Sequence, residues 1–263
     1  MIKLMNPQTF SVGLFDCPAF AMFSADDCHR ANNILHDKRF EPMSMKLWCD
    51  KARDATAILD IGAQVGVYSL AACALRQDIP VHAFEPNPDA FARLALHRRI
   101  NEFSNMHCHR EALANFTGIT SLSWVVKGEL ISSGASFGGG IGRQTVPCVA
   151  DILDRYQFDM GTQGLVKIDV EGAEINVLEG ARRTISTYRP DIILETFAQS
   201  ACDLWNSVLR PLGYNFWKVM ETDMRAVPVA GITPCDKTSG DFNHFLSVRG
   251  LIMQDGIGGT DGA

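Results

Sequence analysis

A glycine turn carries the first residues whose types and spacing suggest chemistry. Asp60 precedes a turn of the form G-x-x-x-G, which runs from Gly62 through Ala63 and Gln64 to Gly66. Glycines let a ligand approach the backbone, and the N–H groups that open the next helix can bind it. A dinucleotide-binding turn has the form G-x-G-x-x-G and receives a pyrophosphate, which Asp60 would repel. The acid instead suits a ligand with a cationic group, such as the ammonium of an amino acid.

A second acid, Glu85, lies 19 residues beyond Gly66 and is followed by Pro86. Because parallel strands end at the same edge of a sheet, we expect Glu85 beside the glycine turn, where a carboxylate can accept both ribose hydroxyls. The alternative is an acid favoured by the dipole of the next helix. Together with Asp60, Glu85 favours a pocket for S-adenosylmethionine.

A third group lies on the predicted strand at residues 165–170, where Lys167 and Asp169 share one face. The strand is expected to be buried on both sides, and buried charges are costly unless they are paired. Both residues are therefore candidate site residues. We expect Asp169 to face the transferable methyl group, and Lys167 to be paired with Glu195 or Asp60.

An alcohol acceptor needs a general base, and three residues are candidates. Asp169 and Glu195 end strands that are predicted to be adjacent, and His244 has the unperturbed pKa closest to working pH. Position ranks Asp169 first, since a lone histidine in a late strand is more often structural. A divalent cation held by Asp169, Glu171 and Glu195 is an alternative, although nothing in their spacing indicates one.

Glu111 and Ala112 follow a weaker predicted strand at residues 106–108, and we expect them against an adenine base. Glu111 either accepts a hydrogen bond from the exocyclic amine or is an ordinary solvated acid, and the sequence does not decide between them. His107 and His109 share one face of the same segment. No second ligand pair stands at recognisable spacing, so an ordinary strand is favoured over a metal site.

These residues require a sheet whose strands are joined by helices. Apolar runs alternate with helical stretches: strands at 57–62, 81–85, 106–108, 165–170, 191–195 and 241–248, helices at 43–53, 88–100 and 173–187. This alternation indicates right-handed βαβ units and a parallel sheet covered on both faces. The sequence therefore predicts a doubly wound, mostly parallel α/β fold.

Length and composition limit the remaining possibilities. The chain has 263 residues, 46% apolar and 21% charged, with a net charge of −6, which is typical of a soluble globular protein. We expect one domain over 55–250, an N-terminal cap segment over 1–54 and a disordered tail over 251–263. The acidic balance argues against a nucleic-acid partner, and the absence of a long apolar run argues against a membrane partner. The cytoplasm is the expected location, and self-association into a homo-oligomer is left open.

Longer motifs resemble those of the FkbM family of S-adenosylmethionine-dependent methyltransferases, over about residues 39–248. The matching segments are 39–42, 60–69, 83–88, 167–174, 177–181, 189–190 and 193–195. The first glycine-containing motif is generic for class I methyltransferases, whereas the run from Lys167 to Glu174 makes the resemblance specific. Gln64 departs from the family, which usually has Asn there, so the polar contact from this turn is expected to be longer or differently aimed.

The resemblance implies a seven-stranded, Rossmann-like methyltransferase sheet with S-adenosylmethionine as cofactor. It also implies O-methylation of a small-molecule hydroxyl on a sugar, a polyketide or another secondary metabolite. The N-terminal cap and the glycine-rich loop at 132–142 are expected to select that acceptor. The alternatives are a non-catalytic S-adenosylmethionine-binding protein, an NAD-dependent oxidoreductase, which the glycine turn disfavours, and a methyltransferase with a nitrogen or nucleic-acid acceptor.

Overall fold

The computed structural model describes residues 7–15, 17–25, 28–37, 40–125, 136–137, 143–235 and 238–251. The helices and strands of these ranges are, in chain order, β1 (Gln8–Val12), β2 (Phe20–Ser24), α1 (His29–Asp37), α2 (Pro42–Asp54), β3 (Ala57–Ile61), α3 (Val67–Leu75), β4 (Val81–Phe84), α4 (Pro88–Ile100), β5 (Met106–His109), β6 (Glu111–Leu113), β7 (Gly118–Val125), β8 (Ser136–Phe137), β9 (Arg143–Asp151), β10 (Gly164–Ile168), α5 (Glu174–Gly180), α6 (Arg182–Tyr188), β11 (Asp191–Glu195), α7 (Gln199–Leu209), β12 (Asn215–Met220), β13 (Arg225–Val229) and β14 (Asn243–Ser247).

The central sheet has eight strands among the described residues, in the order β13-β12-β14-β11-β10-β3-β4-β5. The run from β11 to β5 is parallel, and β14 enters antiparallel between β11 and β12. The predicted doubly wound α/β fold is confirmed, but the predicted count of seven strands is one short. The extra strand is β13, which pairs antiparallel with β12 at the sheet edge. Its Pro228 is tolerated because an edge strand need not donate every N–H.

Helices cover both faces of the sheet. On one face Trp48 of α2, Leu70 of α3 and Leu94 of α4 join a single buried cluster. On the other face Val177 of α5 and Trp205 of α7 join a second cluster. All five residues of β3 and of β10 are buried, as expected for strands enclosed on both sides.

The predicted helix at 88–100 matches α4, and the one at 43–53 falls within α2. The predicted helix at 173–187 instead divides at Ala181 into α5 and α6. Gly180, at the end of α5, packs directly against the backbone that follows β6. Only a glycine fits there, since a Cβ would lie 2.0 Å from the carbonyl oxygen of Ala114. This close approach holds β6 beside the sheet.

The N-terminal elements pack onto the same core. Phe20 and Met22 of β2 belong to the cluster that includes Leu94. Asn101 accepts from the Ala21 N–H at 2.6 Å and donates to the Ala21 carbonyl at 2.7 Å. These contacts anchor the hairpin of β1 and β2, while the division into a cap over 1–54 and a domain over 55–250 stays a prediction.

A second, four-stranded sheet has the order β6-β9-β7-β8 and follows β5 in the chain. Of the predicted glycine-rich loop at 132–142, only Ser136 and Phe137 are among the described residues. The predicted tail lies outside them apart from Leu251. Within the described part of the chain, every helix is too short or too polar to cross a membrane; the cytoplasmic location stays a prediction.

Candidate active site

Most of the predicted site residues meet at the carboxyl edge of the parallel strands, with His244 as the main exception. Two adjoining spaces lie there, and both are lined by Gly62, Gln64 and Asp169. The larger one, called here the main pocket, is also lined by Glu85, Pro86, Glu111 and Ala112. The smaller one, called here the inner cavity, is also lined by Asp60, Ala63, Tyr68 and Lys167. Gly66 lines neither space and instead opens α3 with a positive φ of 92°.

Glu85 is held by main-chain groups. One carboxylate oxygen accepts from the Gln64 N–H and the other from the Asn87 N–H, each at 2.8 Å. Burial raises the pKa of Glu85 to about 7, although the two N–H groups oppose that rise. The carboxylate is therefore fixed in the wall of the main pocket, with acceptor lone pairs left for a ligand.

Asp60 connects the end of β3 to the first turn of α3. Its Oδ2 accepts from the Ser69 N–H at 3.1 Å and from the Ser69 hydroxyl at 2.6 Å. Burial raises the pKa of Asp60 to about 6, against the lowering effect of Ser69 and Lys167. The residue thus positions the glycine turn while it lines the inner cavity.

Position 62 requires a glycine, because the glycine turn and the end of β10 approach each other closely there. Its φ is 85°, and a Cβ there would lie 1.7 Å from the carbonyl oxygen of Asp169. The Asp169 N–H in turn donates to the Ile61 carbonyl at 2.9 Å. The glycine turn and Asp169 are therefore held together through backbone contacts.

Three carboxylates form what we call the acid cluster, namely Glu41, Asp169 and Glu195. Each offers an oxygen within 4.8 Å of the other two. Strand alternation explains the arrangement, because Glu195 pairs in register with Asn243 and both face α2 and α3. Burial, followed by Asp169 and Glu41, raises the pKa of Glu195 to about 8, although Lys167 opposes this.

Lys167 is fully buried against the acid cluster. Its ammonium lies 3.9 Å from Asp169 Oδ2 and donates to Asn243 Oδ1 at 3.1 Å. The ion-pair partner is thus Asp169 rather than the predicted Glu195 or Asp60, which act on Lys167 at longer range. Burial lowers the pKa of Lys167, but the surrounding carboxylates outweigh it and the net shift is upward.

The acid cluster includes Glu41, to which the sequence assigned no role. Glu41 precedes α2 in a left-handed conformation, with φ 39° and ψ 64°. The Tyr68 hydroxyl donates to its Oε2 at 2.6 Å, and the Asn243 amide donates to the same oxygen at 3.0 Å. Arg30 lies 3.7 Å from its other oxygen. The only signal in the sequence was that Glu41 belongs to one of the family-like motifs.

The structure does not bring His244 to the acid cluster. His244 pairs in register with Leu194 and therefore faces away from Glu195, on the side of α5 and α7. There the Thr233 N–H approaches its Nε2 at 3.5 Å. Burial, followed by the charge of Lys218, lowers the pKa of His244 to about 3. Its predicted role as the base has no geometric support.

Glu111 lies in the wall of the main pocket with Ala112, as predicted. The Tyr156 hydroxyl donates to Glu111 at 3.4 Å. The neighbouring histidines belong to an aromatic layer, in which His82 and His109 share a hydrogen bond of 3.0 Å and His107 stacks on His82. Contact between Glu111 and an adenine base stays a prediction.

The acid cluster is also the one group among the described residues whose side chains lie close enough to share a metal ion. It contains the predicted ligands Asp169 and Glu195, with Glu41 in place of the predicted Glu171. The ammonium of Lys167 supplies one positive charge beside these three carboxylates, 3.9 Å from Asp169 Oδ2.

The sheet order and the residues at its carboxyl edge define a doubly wound α/β protein with a candidate ligand site at the switch point of its strands. The model of one protein family, described as the methyltransferase FkbM domain, matches residues 60–216. This match spans more than half of the chain, and the chain belongs to that family.

Individual relatives are distant. The chain is 25% identical over 153 residues to the hexuronic acid methyltransferase AglP of Haloferax volcanii, a match that covers 58% of this chain and 61% of that protein. It is 20% identical to the crystal structure of a methyltransferase FkbM from Methylobacillus flagellatus, with a TM-score of 0.49 and coverage of 73% and 44% of the two chains. The M. jannaschii TYW2 structure is 12% identical, with a TM-score of 0.47 and coverage of 94% and 87%.

Proposed function

We propose that the chain transfers the methyl group of S-adenosylmethionine to a hydroxyl of a small molecule, with a carbohydrate as the preferred acceptor class. One observation carries the proposal. Asp169 lines both the main pocket and the inner cavity and belongs to the acid cluster, so it stands where a cofactor site would meet an acceptor site.

The lining of the main pocket fits an adenosine group. Glu85 offers carboxylate lone pairs to ribose hydroxyls, and Phe84, Leu113 and Leu122 provide apolar surface for a base. Glu111 stands in the same wall as an acceptor for an amine. When bound, S-adenosylmethionine supplies a methyl group activated by its sulfonium charge. The protein then has to align an acceptor and remove its proton.

Asp169 is the proposed base. It lines both the main pocket and the inner cavity, whereas Glu41 and Glu195 line neither space. As the acceptor oxygen would bond to the methyl carbon, the bond from that carbon to the cofactor sulfur would break and S-adenosylhomocysteine would leave. The Asp169 carboxylate would take the proton of the acceptor hydroxyl. The ammonium of Lys167 lies 3.9 Å from Asp169 Oδ2 and places a positive charge beside this carboxylate.

The acid cluster supports a hydroxyl-rich acceptor. Carboxylates accept hydrogen bonds from hydroxyl groups, and several neighbouring hydroxyls would match several neighbouring carboxylates. The relative named as a hexuronic acid methyltransferase agrees with this choice of class. A nucleic-acid acceptor is disfavoured, because its phosphates would approach a site rich in negative charge.

Calorimetry tests the cofactor, and a mass screen tests the acceptor. The protein is titrated separately with S-adenosylmethionine, S-adenosylhomocysteine and NAD, and we expect the first two to bind. Binding of NAD without S-adenosylmethionine would overturn the proposal in favour of an oxidoreductase. Glycosides and polyketides are then incubated with protein and cofactor, and the products are examined for the mass of one added methylene unit. Cofactor binding with no methylated product across a broad panel would favour a non-catalytic binding protein.

A further inference from the structure

Arg30 reaches the site from α1, in the N-terminal segment. Its side chain lines both the main pocket and the inner cavity. The guanidinium carbon lies 4.6 Å above the ring centre of Phe40, and the side chain is 20% exposed. Stacking on Phe40 fixes the plane of the guanidinium without using its N–H groups.

Within the described ranges of the chain, no acceptor lies at hydrogen-bond distance from the guanidinium of Arg30. Among the described residues its ion-pair partner is Glu41, and the 3.7 Å between Nη1 and Oε1 is too long for a hydrogen bond. An arginine has five N–H donors in a planar fork, and the Arg30 side chain, at 20% exposure, keeps them open to a ligand. The geometry therefore leaves room for an anionic group against Arg30.

The side chain of Gln64 places an acceptor without a described donor in the same space. It lines both the main pocket and the inner cavity, and 92% of it is buried, since its exposed fraction is 8%. Its Oε1 has no hydrogen-bond donor within the described part of the chain. The other end of the amide is only 3.9 Å from the sulfur of Cys28. A ligand that brings N–H groups would satisfy this oxygen.

The remaining charged residues of the inner cavity are already engaged. Lys167 donates to Asn243 and pairs with Asp169, and Asp60 accepts twice from Ser69. Of the two cations described in this lining, Lys167 donates a hydrogen bond to Asn243, whereas Arg30 donates none to a described residue. A ligand with a carboxylate and an ammonium on neighbouring atoms matches the unsatisfied Arg30 and Gln64.

We propose that Arg30 binds the α-carboxylate at the methionyl end of the cofactor, while Gln64 accepts from its ammonium. This inference rests on the proposed function. The inner cavity adjoins the main pocket through Gly62 and Asp169, so one molecule can extend from the adenosine wall to Arg30. A carboxylate on the acceptor is the other source of the same chemistry, and the experiment separates the two.

The test compares two ligands that differ at the methionyl end. S-adenosylhomocysteine has the amino-acid group, whereas 5′-methylthioadenosine keeps the adenosine and sulfur but lacks it. Calorimetry measures both dissociation constants for the wild type, Arg30→Met and Arg30→Lys. We expect Arg30→Met to weaken S-adenosylhomocysteine by about tenfold to a hundredfold, as for a lost charge-assisted contact, and 5′-methylthioadenosine by less than about threefold. Arg30→Lys should lie between, because an ammonium keeps the charge without the fork.

Arg93 offers a matched control, because its guanidinium also lies over a phenylalanine, 4.7 Å from the centre of Phe23, but lines neither space. Arg93→Met should leave both dissociation constants unchanged. Equal weakening of the two ligands by Arg30→Met would overturn the inference and leave Arg30 a packing role. Unchanged S-adenosylhomocysteine binding, with weaker binding of a uronic acid, would assign Arg30 to the acceptor and also overturn the inference.

The wild type separates this inference from the proposed function. If it bound 5′-methylthioadenosine and S-adenosylhomocysteine equally, the methionyl site would be contradicted but the adenosine site would not. If it bound neither ligand, the proposed function itself would be contradicted.

Discussion

Two Phe-Glu-Pro tripeptides border the site, and the protein uses them differently. In Phe84-Glu85-Pro86 the carboxylate is held by two main-chain N–H groups, from residues 2 and 21 positions away in the chain. In Phe40-Glu41-Pro42 the carboxylate is held by the side chains of Tyr68 and Asn243, and Asn243 lies 202 positions away in the chain.

The backbones differ as well. Glu85 directly follows β4, and its N–H donates to the His109 carbonyl at 3.0 Å. Glu41 adopts a left-handed conformation, which costs a residue with a side chain about 1–2 kcal/mol. A carboxylate held by main chain is positioned as soon as the sheet forms. Glu41 instead depends on contacts among α1, α3 and β14, so its position is set by tertiary packing.

The largest effect on turnover is expected from a substitution of Asp169, which lies next to Glu41 in the acid cluster. Asp169→Asn keeps the shape and the backbone contact with Gly62 but cannot accept the acceptor's proton. We expect turnover to fall by about 10²–10⁴-fold, the usual contribution of a general base. S-adenosylhomocysteine affinity should change by less than about threefold, as measured by calorimetry. Asp89→Asn, at an exposed position on α4, is the control, and full turnover in Asp169→Asn would remove the residue from this role.

The next effect is expected at Glu85 and concerns binding rather than turnover. Glu85→Gln replaces an acceptor by an amide whose NH₂ group meets either the Gln64 or the Asn87 N–H. We expect S-adenosylhomocysteine affinity to fall by about tenfold to a hundredfold, because a charged acceptor is lost and a buried donor is left unpaired. The thermal midpoint should fall too. Glu102→Gln, exposed and remote from the pocket, is the control; unchanged affinity in Glu85→Gln would contradict the assignment of Glu85 to the ribose.

The two Phe-Glu-Pro turns also differ in how well the sequence predicts them. The predicted helix at 88–100 matches α4. Glu85 lies beside the glycine turn as predicted, because strand order alone brings the ends of parallel strands together. The sequence assigns neither Glu41 nor Arg30 to the site, since their positions depend on contacts between distant parts of the chain. The residue type of His244 suggests a base, but the face on which it lies is set by the antiparallel register with Leu194. The hairpin of β12 and β13 is absent from the predicted elements, and Pro228 interrupts the strand pattern of β13.

A smaller effect is expected at Glu41, and it shows whether this turn positions charge in the acid cluster. Glu41→Gln can still accept from Tyr68 but no longer carries a negative charge. We expect turnover to fall by about tenfold, with S-adenosylhomocysteine affinity nearly unchanged. Because Glu41 is among the groups that raise the pKa of Glu195, the variant should also shift any Glu195-dependent limb of the pH–rate profile to lower pH. A profile that keeps its shape and position would indicate a purely structural role for Glu41.

The smallest effect concerns how the thermal stability of the protein depends on pH. It distinguishes Glu85 in the main pocket from Glu195 in the acid cluster. Burial raises the pKa of Glu85 to about 7 and that of Glu195 to about 8, from an ordinary value of 4.5. A carboxyl whose pKa is raised by folding contributes stability that is present at low pH and is lost as pH rises through the folded-state pKa. We therefore expect the thermal midpoint of the ligand-free protein to fall by a few degrees between about pH 5.5 and about pH 8.5. Glu195→Gln should flatten the upper part of this fall and Glu85→Gln the lower part, as followed by calorimetry. A midpoint that rises over this range would mean that these carboxyls are ionised in the folded protein well below pH 7.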